Sequence, residues 1–417
     1  MKISGEIQFP GDKSVSHRAI MLASIPKGES NIYNLPTSKD ILSTISCLQL
    51  CGIKIKNNED FTRVVGGTLK KPEKKLNCNN SGTTARLLIG LLGGQNIPAY
   101  FYGDESLSIR PMDRVIEPVK EMGINIKSNN NKLPFEIIDI ALKSINYNIP
   151  IESAQIKSCI VFASLGCEGV TKIRGSINTR DHLERMITQF SRQGIIHHEN
   201  IIEIHPEKIN LKPFNINLPG DISSASFFIG LACLIKGSHL VINNLLINKY
   251  RLGLVETLKS MGANIAIDKI KIEFNEKVGR MTVIGDRDLS PCNISKENIS
   301  SMIDEIPLLS LICAHVNGVS RIEGLGELKY KESNRYDGTL SILKKMGVDI
   351  KQEKKNAFKI KGRNKLYNTN NLDCFNDHRL AMMISVAQIL SKNNVSYDKC
   401  INVSFPQFKS TIKKVLI

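Results

Sequence analysis

Two cations and a hydroxyl open the first helical run of this chain. Lys13, Ser14 and Arg18 stand in Pro10-Gly11-Asp12-Lys13-Ser14-Val15-Ser16-His17-Arg18, ahead of the apolar Ala19-Ile20-Met21-Leu22-Ala23. Within about one and a half helical turns, both charges lie at a helix mouth, where unpaired N–H groups and the macrodipole already favour an anion. Taken alone, the stretch reads equally well as a capping serine with two solvated cations. Similar residues recur at other helix starts. Asn80-Ser81-Gly82-Thr83-Thr84-Ala85-Arg86 joins capping residues to a glycine that lets a ligand approach backbone amides. Arg110 precedes Pro111-Met112, and a planar guanidinium there suits a carboxylate or phosphate. Ser153-Ala154-Gln155 offers neutral groups suited to hydroxyls, although an ordinary cap accounts for it nearly as well. Asp304-Glu305-Ile306-Pro307 sets two carboxylates at a helix start, by itself simple macrodipole compensation. Lys331, Glu332 and Arg335 crowd one turn of Lys329-Tyr330-Lys331-Glu332-Ser333-Asn334-Arg335, and Asn376-Asp377-His378-Arg379 opens the last apolar helix. A solvated helix start explains any one of these. All of them at equivalent ends of repeating units point to a site that gathers anions and sets carboxylates among its cations.

What would hold these residues is a duplication. Pro10-Gly11-Asp12 is written again half a chain later as Pro219-Gly220-Asp221, and the echo continues from Lys27-Gly28 to Lys236-Gly237 and from Asn34-Leu35 to Asn244-Leu245. The second copy carries Ile222 and Phe227 where the first has Lys13 and Arg18, so fold is shared and charge is kept on one side. A finer repeat of about 70 residues is marked by caps near Ser14, Ser81, Ser153, Ser223, Asp304 and Asp377, each followed by a helix apolar all round and therefore buried. A second, amphipathic helix in five units ends on Gly52, Gly123, Gly194, Gly262 or Gly347, expected as left-handed C-caps. Alternating strands such as Ile124-Asn125-Ile126 and Val348-Asp349-Ile350 follow. The sixth unit ends inside its second helix, so the strand before Pro10 is expected to close it. The chain is expected to cross between domains near Gly11-Asp12 and Pro219-Gly220, giving a discontinuous domain of 1–11 with 220–417 and an inserted one of 12–219. Helix N-termini gathered on one face of each domain, opposed across the crossings, would form a cleft for anions.

Composition narrows the classes. The formal charge is +16, from 56 Lys and Arg against 40 Asp and Glu, which concentrates anions without naming them. Nucleic acid is a poor fit, since the lysines are scattered, Trp is absent and no basic run is interleaved with aromatics. The ten cysteines show neither a Cys-x-x-Cys pair nor zinc spacing, and a reducing compartment is expected. With no signal peptide and only short apolar runs, a cytoplasmic protein without membrane partners is expected.

The ordered strings GDKSVSHR, NNSGTTAR, SIRPM, SAQ, DEIP, KYKESNR and NDHR, ending in Ser404-Phe405-Pro406, closely resemble the EPSP synthases (3-phosphoshikimate 1-carboxyvinyltransferases) of the enolpyruvyl transferase family. The likeness runs from about Gly5 to the C-terminus. It implies a two-domain inside-out α/β barrel of six βαβαββ repeats, three per domain, acting as a monomer without metal or organic cofactor. It further implies addition of the 5-hydroxyl of shikimate 3-phosphate to C2 of phosphoenolpyruvate and elimination of phosphate. By the same resemblance Lys13, Ser14, Arg18, Ser153, Gln155, Thr179, Asp304 and Lys331 bind shikimate 3-phosphate. Lys13, Gly82, Arg110, Gln155, Arg335 and Arg379 hold phosphoenolpyruvate. Asp304 is assigned as base on the hydroxyl, Glu332 as acid toward the methylene, and Lys13 as support for the leaving phosphate. This chain departs from the commonest pattern at Thr179, usually Ser, at Asn334, usually Asp, and at Val403, a lysine in some members. Gly82 is the small residue that accompanies glyphosate sensitivity in the family. The sibling enzymes acting on UDP-N-acetylglucosamine typically carry a reactive cysteine where Glu105 stands and Lys-Asn where Lys13-Ser14 stands. A non-catalytic anion binder would not need Asp304 and Glu332 among its cations.

Overall fold

The computed structural model describes residues 1–354, 356–363 and 367–417. The chain divides into two compact units, one of Met1–Phe9, Pro219–Lys271 and Lys277–Ile417, the other of Pro10–Leu218 with Ile272–Glu276. The divisions thus differ slightly from those expected. Gly11 counts with the second unit because its N–H bonds the carbonyl of Asn34 at 2.9 Å, and a Cβ there would lie 2.7 Å from that of Leu218. The hairpin tip Ile272–Glu276 was not anticipated in that unit.

The second unit holds three four-stranded sheets. Their strand orders are Asn215–Asn217, Gly28–Tyr33, Phe61–Gly66, Lys54–Asn57; then Leu76–Asn77, Ala99–Tyr102, Lys132–Ile140, Ile124–Asn129; then Asn146–Ile149, Thr171–Gly175, Ile201–Ile204, Ile195–His197. In each sheet the first pair is parallel and the rest antiparallel. The first unit holds Ser4–Gln8, His239–Leu246, Glu276–Ile284, Asn264–Glu273 and Asn293–Ile294, Gly318–Ile322, Ala357–Gly362, Asp349–Glu353, again with a parallel edge.

Two leading strands are exchanged. Ser4–Gln8 precedes the helix Lys13–Ala23 yet pairs with His239–Leu246, whereas Asn215–Asn217 precedes the helix Ile222–Leu234 yet pairs with Gly28–Tyr33. The exchange follows from where the chain changes unit, between a strand and its helix. It also corrects the expected role of the N-terminal strand. Among the described residues the sixth repeat supplies the helices His378–Leu390 and Phe408–Val415 but no sheet, and its backbone pairing with the N-terminal segment is a single antiparallel bridge from Ile3 to Leu416.

The apolar helices are buried, and in the second unit two of them touch backbone to backbone. A Cβ on Gly90 would lie 2.1 Å from the carbonyl oxygen of Cys159, and one on Gly94 2.7 Å from that of Phe162. Glycine in mid-helix costs about 1 kcal/mol against alanine, and here it lets Gly82–Gly94 and Ala154–Ser164 approach closely enough to align their N-termini. Of the five expected C-cap glycines, Gly52, Gly123, Gly262 and Gly347 are left-handed. Gly194 is not. Its helix stops at Thr188, and a Cβ at Gly194 would lie 2.3 Å from Ile209 Cγ1, so close packing requires that glycine. Among the described residues no helix is long and apolar enough to cross a membrane.

Candidate active site

In the second unit the helix Lys13–Ala23 is capped by Asp12, whose Oδ1 accepts the Val15 N–H at 3.0 Å. Ser14, expected as the cap, is displaced from that role and its hydroxyl accepts from Arg180 Nη1 at 3.4 Å. Lys13 Nζ donates to Asp40 Oδ2 at 2.8 Å. Arg18 is almost wholly buried. Its Nε and Nη2 donate to Ser158 Oγ at 3.0 and 2.9 Å, and its Nη1 donates to the Ser14 carbonyl at 2.9 Å, so it ties this helix to Ala154–Ser164. Between these cations His17 is held neutral: burial, then Lys13 and Arg18, push its pKa well below the usual value.

Ser81 and Ser153 cap their helices, accepting from Thr84 N at 3.2 Å and Ile156 N at 3.4 Å. Because the two helices touch, Gln155 reaches across, donating to Thr83 Oγ1 at 3.1 Å and accepting from Arg86 Nη1 at 3.1 Å. Arg86 and Arg110 both stand over Gly82, where a Cβ would lie 2.6 Å from Arg86 Nη1 and 3.6 Å from Arg110 Nη1. Arg110 is 7% exposed, and its Nη2 donates to Ser106 Oγ at 3.1 Å and to Asn80 Oδ1. Its Nε has no hydrogen-bond partner among the described residues. Thr179 is buried, and its carbonyl accepts from Lys157 Nζ at 3.0 Å, a lysine that also pairs with Glu184 at 2.8 Å.

In the first unit Arg335 is the hub. It is 1% exposed and donates through Nε to Asp377 at 2.7 Å, through Nη1 to Asp304 at 3.2 Å and through Nη2 to Glu332. Burial alone would lower its pKa, but Asp377, Glu332 and Asp304 outweigh that and raise it. Asp377 is held below the usual carboxylate range: burial opposes this, and Arg335 with His378 prevails. Lys331 Nζ donates to Asp304 Oδ1 at 3.1 Å. Arg379 lies 3.6 Å from Glu305, whose Oε1 accepts from Ser223, and Arg379 Nη1 makes no hydrogen bond among the described residues. Asn334 accepts the Asp337 N–H at 3.1 Å as N-cap, work that Asn does as well as the usual Asp. Val403 ends the turn Lys399–Val403.

A model of the family described as EPSP synthase (3-phosphoshikimate 1-carboxyvinyltransferase) matches residues 1–412. The chain belongs to the EPSP synthase family. A relative in that family, the 3-phosphoshikimate 1-carboxyvinyltransferase of Petrotoga mobilis, is 38% identical over 422 residues, covering 99% of this chain and 97% of its own. One from Geobacillus kaustophilus is 37% identical, covering 99% and 98%. The solved EPSP synthase of Acinetobacter baumannii superposes with a TM-score of 0.85 at 32% identity, covering 99% of this chain and 96% of that one. The enolpyruvyl transferase NikO of Streptomyces tendae, 13% identical with a TM-score of 0.78 over 99% and 95% of the two chains, shares the fold. The architecture is the two-domain inside-out α/β fold of the EPSP synthases.

Several residues in these constellations were given no site role from sequence. Arg86 stands four residues after Gly82, a spacing that shares a helix face, and was open to detection. Arg180 adjoins Thr179, and Glu305 and Asp377 were read as helix-start charges. Asp40 gave no signal, because its partner Lys13 lies far away in sequence.

Proposed function

We propose that this chain transfers the enolpyruvyl group of phosphoenolpyruvate to the 5-hydroxyl of shikimate 3-phosphate, releasing phosphate. The observation that carries the reading is a pair of buried guanidiniums, Arg110 and Arg379: among the described residues Arg110 Nε has no hydrogen-bond partner, and Arg379 Nη1 has only the ion pair with Glu305 at 3.6 Å. Buried donors find a partner in protein, water or ligand, and a planar fork suits carboxylate and phosphate alike. Family membership supplies the substrates, through the names that the relatives carry.

The reaction brings two polyanions together. Each phosphate carries about −1.5 to −2 near neutrality, so fixed cations must offset the repulsion. The reading gives shikimate 3-phosphate to Lys13, Ser14, Arg18, Ser153, Gln155, Thr179, Asp304 and Lys331. It gives phosphoenolpyruvate to Lys13, Gly82, Arg110, Gln155, Arg335 and Arg379. The burial of Arg18 fits it to fix the helix mouth and lend charge. Asp304, held between Lys331 and Arg335, accepts the proton of the 5-hydroxyl as its oxygen bonds C2. Glu332 protonates the methylene. Arg335 beside Glu332 places the carboxyl that gives this proton. Elimination then returns that proton, re-forms the double bond and breaks the C2–O bond to phosphate, which Lys13 steadies. The chain is read as a cytoplasmic monomer with no nucleic-acid or membrane partner.

Asp304→Asn and Glu332→Gln test the two roles. Each is expected to lower kcat by at least about a hundredfold, the usual contribution of a positioned acid or base, while binding of shikimate 3-phosphate by calorimetry persists in the Glu332 variant. Near-normal turnover in both would remove the assignments.

A further inference from the structure

Cys292 and Cys313 lie sulfur to sulfur at 3.6 Å, and Cys374 and Cys400 at 3.8 Å. Their surroundings differ. Cys292 and Cys313 are packed in the core, whereas Cys400 is half-buried beside exposed Asp398, whose Oδ1 accepts the Cys400 N–H at 2.8 Å. A small oxidant reaches the second pair through Cys400, since Cys374 is itself buried, 9% exposed against 7% for Cys292, and neither member of the first pair is accessible.

The outer pair also sits on the arginine network. The carbonyl of Cys374 accepts the N–H of Asp377 at 2.9 Å. Phe375 and Asn376 between them both hold φ of 54°, a left-handed conformation that side chains adopt at a cost. Cys374 is therefore one end of a tight turn whose other end is the carboxylate on Arg335 Nε and the cap of the helix carrying Arg379. On the other side, Cys400 lies in the turn Lys399–Val403, and beyond that turn Phe405 is packed against Phe9 at 5.7 Å between ring centroids. Forming a bond would draw the sulfurs together to about 2 Å. With Phe405 anchored, the turn before Asp377 gives way.

We propose that Cys374 and Cys400 form a reversible disulfide that weakens the grip of Arg335 and Arg379 on their anion. The effect on turnover rests on the enzymatic reading above, and the bond itself does not. Cys400, the accessible thiol, loses its proton and attacks a low-molecular-weight disulfide, breaking its S–S bond and expelling one thiolate. Cys374, deprotonated, then attacks the Cys400 sulfur of the mixed disulfide and expels the other. Two protein thiols lose two electrons, and the external disulfide becomes two thiols that take up the two protons. In the reduced pair the hydrogen bond from Cys400 holds the Cys374 thiol below its ordinary pKa, while the same bond, with burial and Asp398, pushes that of Cys400 up.

The test uses the full chain, oxidised glutathione, peptide mapping under non-reducing conditions, and phosphate release from phosphoenolpyruvate before and after dithiothreitol. The expected result is a Cys374–Cys400 linkage, no Cys292–Cys313 linkage, and a fall in kcat/KM for phosphoenolpyruvate of at least about fivefold, the low end of coupling between linked sites, restored by reduction. Cys400→Ser is expected to keep the reduced enzyme's turnover and to ignore the oxidant, and Cys374→Ser provides the same comparison should the first variant fold poorly. No linkage, linkage of the core pair instead, or linkage with unchanged kinetics overturns the proposal. A chain that forms the bond but never turns phosphoenolpyruvate over would overturn the enzymatic reading and the proposed effect, while the disulfide would stand.

Discussion

Gly82 shows how much of the candidate site rests on one missing side chain. The guanidinium of Arg86 occupies the space a Cβ would need, 2.6 Å away, and that guanidinium also holds Gln155 and the Pro111 carbonyl. The atom in the way is the far end of a flexible side chain, so Gly82→Ala is expected to fold normally and to shift Arg86. The account predicts a KM for phosphoenolpyruvate raised about tenfold, or ~1.4 kcal/mol, with the urea midpoint unchanged. A lowered midpoint with unchanged KM would contradict it. With Gly82 in place, phosphate release is expected to be inhibited by glyphosate, and undiminished turnover at millimolar inhibitor would refute that. At this scale residue identity was legible where a motif held both partners, as in Glu332 with Arg335. It was not legible where the partner came from another helix, as Asp40 does for Lys13 and Ser158 for Arg18. Nor could spacing tell which of Asp12 and Ser14 caps the helix, since both are good caps and backbone geometry decides.

At the level of elements, a run of buried hydrogen bonds joins helix starts of the second unit. His17 Nδ1 meets Thr44 Oγ1 at 2.7 Å, Thr44 meets Thr84 at 2.7 Å, and Thr84 Oγ1 donates to Ser81 Oγ at 2.7 Å. The depressed pKa of His17 gives this arrangement a pH dependence. Above the ordinary value of 6.5 the imidazole is neutral both folded and unfolded, and nothing is lost. As pH falls below it, the unfolded chain takes a proton that the folded chain refuses, so stability declines until the folded value is reached, by up to about 1.4 kcal/mol per pH unit. Urea unfolding across this range should show a shallower decline for His17→Gln than for the parent chain, and equal slopes would contradict the assignment. Helices and hairpins of this kind were readable from apolar runs and C-cap glycines, as at Gly52 and Gly123. Gly194 was misread because close packing against Ile209 and a C-cap demand the same residue.

Across the whole molecule, the duplication seen in Pro10-Gly11-Asp12 and Pro219-Gly220-Asp221 marks the places where the chain changes unit. What the repeat concealed is that each crossing separates a strand from its helix, so that Ser4–Gln8 and Asn215–Asn217 serve each other's sheets. Strand partners depend on long-range register, which no local pattern in Ser4–Gln8 encodes. The division of charge was plainer, because Ile222 and Phe227 stand where Lys13 and Arg18 do. One unit carries the Arg335 carboxylate cluster, and the other carries Lys13, Arg86 and Arg110. The account needs both sets to serve one pair of substrates. Phosphate release from phosphoenolpyruvate by the purified chain, with shikimate 3-phosphate and UDP-N-acetylglucosamine offered separately, tests this most directly. Release that depends on shikimate 3-phosphate alone is the predicted result; release with the nucleotide sugar instead, or with neither acceptor, would contradict it.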